Sequence, residues 1–343
     1  MTEIPAPGAL FLQHRLWGRG EIVPLPVGRH VELGDLWRFH LDGYRVTVDT
    51  SKGGSVVSLL HRGVELLSDV TFGDQLQLAC FGPRQSDPQH SNPTQAGAEG
   101  MEDGLWRASP ILVRGVPRPN TYVVEVNPLD WYRRDAAGMK TPGGSHAVIW
   151  RDLILGMMLE FDYLSISGLI RCESTIRVPG AVHVELGVYH ALPALCCVPP
   201  LTRQWSYDAQ RDIAADRTDY IAAEGAAGRP PRFMFPSQNG IGVVNYGGPI
   251  LASDDGQHAI GLFGVGDEVG GCNTRSIMMA FPGRWKPGGQ PAPAYTAALR
   301  VERTPLAAGK NVFVTWICVG TLKEVKALMR RMAGPWPEQG GPR

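Results

Sequence analysis

The sequence predicts an all-β protein, a large antiparallel β-sandwich carrying one C-terminal helix. Three observations lead there. More than a dozen short segments alternate apolar and polar residues, as half-buried strands do. Glycine and proline are abundant, at 42 and 28 residues, and punctuate those segments with turn signals. Only one stretch, near the C-terminus, has helical spacing behind a capping signal. That combination is the pattern of a sandwich. At 343 residues the chain can bury a large core. The expected organisation is an N-terminal arm over 1–34, a single sandwich domain over 35–335, and a disordered tail over 336–343.

In the arm, Pro5, Pro7, Pro24 and Pro26 oppose regular structure, while Leu10, Phe11, Leu12, Leu16 and Trp17 form an apolar patch suited to docking. The arm is expected to cover a sheet edge or a neighbouring subunit, which would make the chain a homo-oligomer. The β pattern opens at Tyr44. YRVTVDT alternates, SKGG turns, SVVSLLH follows, and a short Arg-Gly step leads to VELL, giving a meander. A fourth strand, Asp74–Phe81, carries Gln75 and Gln77 between Leu76 and Leu78. It runs into a long irregular loop ending near Asp103, with His90, Asn92, Thr94 and Gln95 set around Pro93. A loop of this length inside a domain is uncommon and often functional.

Strand signals resume at Thr121–Asn127 and continue through HAVIWRD and GMMLEFDYLSI. In GLIRCESTIRVPG, Ile170, Cys172, Ser174, Ile176 and Val178 face one way and Arg171, Glu173, Thr175 and Arg177 the other. In VHVELGVYH, Glu185 and Tyr189 share one face and His190 takes the apolar one. The Pro179-Gly180 turn signal predicts that these two strands pair as a hairpin. Residues 199–238 are the least patterned and read as an insertion. Strands return from GIGVVNYG to NVFVTWICVG. Thr321 and Glu324 have capping-box spacing, and Val325, Leu328, Met329 and Met332 form a helical core stripe behind them.

Lysine plus arginine equals aspartate plus glutamate at 33 each, so no clustered basic footprint points to nucleic acid or an anionic membrane. No apolar run reaches transmembrane length. The N-terminus makes a poor signal peptide, which favours the cytoplasm unless a leader has been removed. The six cysteines are scattered and read as small buried hydrophobes in a reducing compartment. No CxxC pair or HxxxH run supplies metal-ligand spacing, and no Gly-rich nucleotide motif appears, so neither a metal nor a cofactor is expected.

The meander GGSVVSLLHRGVELLSDVTFGDQLQLA, followed by HSNPTQAG, resembles the N-terminal half of galactose-mutarotase-like β-sandwich proteins. The likeness is greatest to carbohydrate-associated members with an N-P-T-[EQ]-A-G loop. NVFVTWICVGTLKEVKALM resembles their final strand and closing helix. The resemblance implies the fold and a sugar ligand, and in the epimerases of that superfamily a histidine acid and a glutamate base act on the hemiacetal. A complete epimerase set does not align here.

Sugar recognition asks for amides, carboxylates and guanidiniums to pair with hydroxyls, and for an aromatic surface against the ring. Gln75, Gln77, Asn92, Gln95, Arg171, Trp131, His146 and His190 are the candidate binding residues. Proton transfer near neutral pH calls for histidine with a carboxylate or tyrosine, so His90, Glu185 and Tyr189 are the candidate catalytic residues. Three readings stay open: an epimerase, lyase or hydrolase using that acid–base set, which is favoured; a non-catalytic sugar-binding protein; and a structural protein assembling through its arm.

Overall fold

The computed structural model describes residues 29–67, 75–81, 93–99, 106–130, 132–134, 140–142, 153–178, 189–198, 200–209, 211–216, 218, 246–265, 273–281, 294–302 and 308–333. The calls on His90, Asn92, Trp131, His146 and Glu185, on the first 28 residues of the arm and on the tail lie outside them. In chain order the first strands are β1 (Arg29–Leu33), β2 (Leu36–His40), β3 (Tyr44–Asp49), β4 (Ser55–His61) and β5 (Val64–Glu65). They pair consecutively into a five-stranded antiparallel meander. Among the described residues, strand is present from Arg29, inside the segment assigned to the arm. His30 stacks on Phe39 at 5.6 Å between ring centroids, and the alternation of β2 buries Trp37 and Phe39.

The turn from β3 to β4 is a single 3-10 turn, Thr50–Lys52. Asp49 caps it, its carboxylate accepting from the Ser51 amide at 2.8 Å and the Ser51 hydroxyl at 2.6 Å. Next come β6 (Gln77–Phe81), β7 (Pro93–Thr94), β8 (Gly97–Glu99), β9 (Trp106–Ala108), β10 (Ile111–Arg118), β11 (Thr121–Val126), β12 (Leu129–Asp130), β13 (Tyr132–Arg134) and β14 (Lys140–Pro142). The second half holds β15 (Ile154–Glu160), β16 (Leu169–Val178), β17 (Tyr189–Cys197), β18 (Arg203–Asp208), β19 (Ile213–Asp216) and β20 (Tyr246–Ala252). It ends with β21 (Ala259–Val265), β22 (Asn273–Phe281), β23 (Ala294–Glu302), β24 (Gly309–Gly320) and helix α1 (Leu322–Ala333).

Two larger antiparallel sheets complete the sandwich. A nine-stranded sheet runs β10-β11-β15-β16-β24-β21-β20-β18-β19, and a six-stranded sheet runs β12-β7-β6-β17-β23-β22. Isolated bridges between Val56 and Leu76 and between Leu67 and Cys197 stitch the meander to the six-stranded sheet. One core lies among the three. Phe39, Val46 and Leu59 come from the meander, Leu78, Cys80 and Leu195 from the six-stranded sheet, and Val124, Met157, Cys172 and Phe313 from the nine-stranded sheet. The other side of the nine-stranded sheet packs Tyr207, Ile250, Phe263 and Trp316 under Val325, Met329 and Met332 of α1.

The capping box forms as the spacing predicts: the Thr321 amide donates to Glu324 Oε2 at 2.7 Å and the Glu324 amide to Thr321 Oγ1 at 3.2 Å. Cys80, Cys172, Cys196, Cys197 and Cys318 are free and buried, and burial pushes the Cys172 thiol up to about 12. The predicted hairpin does not form. Strand β16 pairs with β15 and β24 in the nine-stranded sheet, whereas β17 pairs with β6 and β23 in the six-stranded one. The stretch read as a patternless insertion contributes β18 and β19, which extend the nine-stranded sheet at its far edge.

Candidate functional site

The rim of the candidate site is the loop segment carrying Pro93-Thr94-Gln95-Ala96-Gly97, and two glutamines hold it. Gln77 Oε1 accepts from the Ala96 amide at 2.9 Å. Gln95 Oε1 accepts from the Leu78 amide at 3.0 Å while its Nε2 donates to the Gly53 carbonyl at 3.3 Å. Thr94 Oγ1 donates to the Gly97 carbonyl, and Ser109 Oγ donates to the Thr94 carbonyl at 2.8 Å. Every bond satisfies a buried backbone group that a strand ladder would otherwise serve.

Gly53 is where the two sequence signatures meet. Its φ is +59°, and a Cβ there would stand 1.9 Å from the Gln95 carbonyl oxygen. The Gly-Gly of the meander and the Gln of the loop are therefore one contact, and only a residue without a side chain permits it. This corrects the expectation that Gln77 and Gln95 line a sugar cleft. They are 2% and 1% exposed, Gln77 Oε1 is taken by the Ala96 amide, and both ends of the Gln95 amide are taken by backbone. Gln75 is likewise fully buried. The alternation of this strand was legible, but its polar face turns toward the loop that covers it and not toward solvent.

Leu78 and Cys80 of β6 point into the core, so Ala79 belongs to the opposite side of the six-stranded sheet. The registers run across the sheet from there: Ala79 stands opposite Thr94 on one flank and Ala191 on the other, Ala191 opposite Arg300, and Arg300 opposite Arg275. Tyr189 stands opposite Phe81, two residues along from the Ala191–Ala79 pair. Glu302 stands two residues beyond Arg300 and pairs with Asn273, which brings both to the same end. His190 stands opposite Cys80.

The loop carrying His90 and Asn92 leaves β6 after Phe81 and returns at Pro93 on neighbouring β7, and the segment carrying Glu185 enters β17 at Tyr189. Four chain segments thus converge on one end of this sheet. Arg275, Arg300, Glu302 and Asn273 hold these register positions and were not singled out by sequence reasoning. The signal available was a charged or amide residue at the end of each of two otherwise apolar late strands.

Arg171 lies elsewhere. It sits on the outward side of the nine-stranded sheet, 2.8 Å from Glu173 Oε2 and 5.9 Å from the Tyr163 ring centroid, half-buried in an ion pair with its strand neighbour. The structure does not bring it to the Tyr189 end, so its assignment to the same cleft is corrected.

Two other polar clusters serve the fold. Glu65 is half-buried, and the desolvation of its carboxyl raises it above the usual carboxylate range. Oε2 accepts from Ser58 Oγ at 2.6 Å, and Oε1 accepts from the amides of Leu59, Leu66 and Leu67 at 2.9, 3.1 and 3.1 Å. That carboxylate closes the β4–β5 turn. His61 Nδ1 lies 3.2 Å from His258 Nδ1, tying the meander to the turn before β21. Burial, then Arg62 and His258, push His61 down to about 4 against the opposing pull of Glu324.

No protein-family model matches the chain. No curated protein matches it. Among solved structures, a galactose mutarotase-like protein from Lactobacillus casei ATCC 334 is similar over 83% of this chain and 99% of its own, at 8% identity and a TM-score of 0.42. A heparan sulfate lyase from Pedobacter heparinus is similar over 92% of this chain and 40% of its own, at 9% identity and 0.40. An alpha-mannosidase from Enterococcus faecalis V583 is similar over 91% of this chain and 32% of its own, at 10% identity and 0.39. The chain spans less than half the length of the lyase and the mannosidase. The galactose-mutarotase-like superfamily that the meander and loop resemble is thus represented among these structures. Likeness at this level assigns no activity.

Proposed function

We propose that the chain binds a sugar or glycoside at the Tyr189 end of the six-stranded sheet, on the side turned from the core, and transforms it by acid–base chemistry. The convergence just described carries the reading. Tyr189, Glu302 and Asn273 hold register positions at one end of the sheet, Arg300 and Arg275 follow, and the segments bearing His90, Asn92 and Glu185 join the sheet at that same end. A hydroxyl, carboxylates, amides and guanidiniums from separate segments are the groups that pair with sugar hydroxyls. A phenol or histidine beside a carboxylate is the set from which a general acid and base are drawn. The clamped rim adds a rigid border, which is what positioning a ligand needs. The resemblance of the meander and loop to galactose-mutarotase-like proteins points to the same ligand class. In this reading Tyr189 and His90 handle the proton, Glu185 or Glu302 is the carboxylate, and Asn92 contributes to binding.

The test is a panel of monosaccharides, uronic acids and oligosaccharides screened by thermal shift and then for conversion by the wild type, Tyr189→Phe and His90→Ala. Loss of a general acid or base should lower turnover about 100-fold or more while binding persists. A panel in which no sugar raises the melting temperature would reject the reading, and binding without conversion of any kind would reduce it to a sugar-binding protein.

A further inference from the structure

His61 and His258 meet across 197 residues of chain, His61 at the end of β4 and His258 in the turn before β21. Their Nδ1 atoms stand 3.2 Å apart, while the ring centroids are 5.2 Å apart with 77° between the planes. The Nδ1 atoms are therefore the facing corners of two rings turned away from each other. As a hydrogen bond this contact is at the long end of the normal range, and it requires one Nδ1 to carry a proton and the other to accept it. As a chelate it requires neither. Imidazole nitrogens lie about 2.0–2.1 Å from zinc, so two of them on one tetrahedral ion stand about 3.3 Å apart. The observed separation fits that bite.

The surroundings suit a cation as well. Burial, then Arg62 and His258, push His61 down to about 4, and the neutral ring is the form that ligates a metal. His61 is buried, but His258 is half-buried and Arg62 and Glu324 are exposed, so the pair is open to solvent through His258. Arg62, the cation next to His61, is ion-paired with Glu324 Oε1 at 3.5 Å, and Asp255 places a second carboxylate in the turn that carries His258. Among the described residues no group of three His, Cys, Asp or Glu side chains closes on one point, so water would complete the coordination. The expected absence of a metal rested on CxxC and HxxxH spacing, which ligands this far apart in the chain do not show.

We propose that the Nδ1 atoms of His61 and His258 chelate one divalent transition-metal ion of the class that imidazole prefers, copper, nickel or zinc, and not a hard cation such as magnesium. The Gly256 carbonyl of the same turn accepts from the Leu322 amide at 2.9 Å, at the start of α1. The ion would thus pin the end of the meander to the turn that seats the closing helix.

The full chain, without an affinity tag, is titrated with Cu²⁺, Ni²⁺, Zn²⁺ and Mg²⁺ by calorimetry and by thermal melts, as wild type, H258N, H61N and H30N. The chain has nine histidines, and H30N controls for binding by the others. The wild type and H30N should bind one equivalent of the three transition metals, copper more tightly than zinc, and none of magnesium. The bound ion should raise the melting temperature of those two proteins. H258N and H61N should each lose both the equivalent and the shift. Electron paramagnetic resonance of the copper form should count two nitrogen ligands in the wild type and one fewer in H258N. If H61N does not fold, H258N carries the test, because His258 lies half-buried in a turn. Failure of all three transition metals to bind would overturn the proposal, leaving the pair a hydrogen bond. Binding that H258N does not weaken, or an unchanged nitrogen count in that variant, would overturn it as well.

Discussion

Replacing Gln95 with alanine isolates what the rim contributes. The substitution deletes one acceptor and one donor, leaving the Leu78 amide and the Gly53 carbonyl buried without those partners. A buried backbone group stranded in this way costs about 1–3 kcal/mol. The 3.0 Å bond to Leu78 warrants the middle of that range and the longer 3.3 Å bond to Gly53 its lower end. The sum is a loss of about 3 kcal/mol, before any cavity contribution from the missing side chain. Gln95→Met separates the two effects, since it restores most of the volume and none of the hydrogen bonds. Urea titration of the wild type and both variants gives the free-energy differences, and amide exchange reports the Leu78 N–H directly. The expected result is that Met recovers little of the alanine loss and that the Leu78 amide exchanges faster in both. A loss below about 0.5 kcal/mol in Gln95→Ala, or unchanged exchange at Leu78, would refute the assignment of Gln95 as a clamp.

Further outcomes follow from the same contacts. Gly53→Ala forces a Cβ to 1.9 Å from backbone, whereas Gly43→Ala, at φ +81° with nothing within 4 Å, meets only left-handed strain. Chemical denaturation should show Gly43→Ala costing about 1–2 kcal/mol and Gly53→Ala clearly more. Glu65→Gln keeps an acceptor for the three turn amides and should cost far less in a thermal melt than Glu65→Leu, which strands them. His61 has a folded pKa of about 4, below its ordinary value, so the folded state binds fewer protons than the unfolded one in between. Its contribution to stability is present above the ordinary histidine range and is lost as pH falls toward 4. His61→Phe should flatten the stability profile across that window, measured by urea titration at several pH values. Thr321→Ala removes one half of the capping box and should cost about 1 kcal/mol by denaturation, with helical circular dichroism largely retained.

Alternation made β16 legible residue by residue, because a strand with one face on the core must repeat every two residues. The closing helix was legible for the same kind of reason: Thr321 and Glu324 bond within one turn, and the stripe behind them needs only local spacing. The edge strands β18 and β19 were hidden because Gln204, Ser206 and Asp208 are buried polar residues, so burial and polarity do not track each other there.

What the sequence determined by itself was the class of the fold, the meander with its turns and the capped helix. These rest on interactions within a few residues of each other, or on patterns that repeat along one element. Tertiary structure decided which sheet each strand joins, as β16 and β17 show by entering different layers across an apparent hairpin turn. It also decided that Gln77 and Gln95 tie the loop to the strand and the meander, and that Arg275 and Arg300 take opposed register positions. Each of these depends on registers between distant strands, and a strand's own sequence specifies which face it buries far more strongly than which neighbour will pair with it.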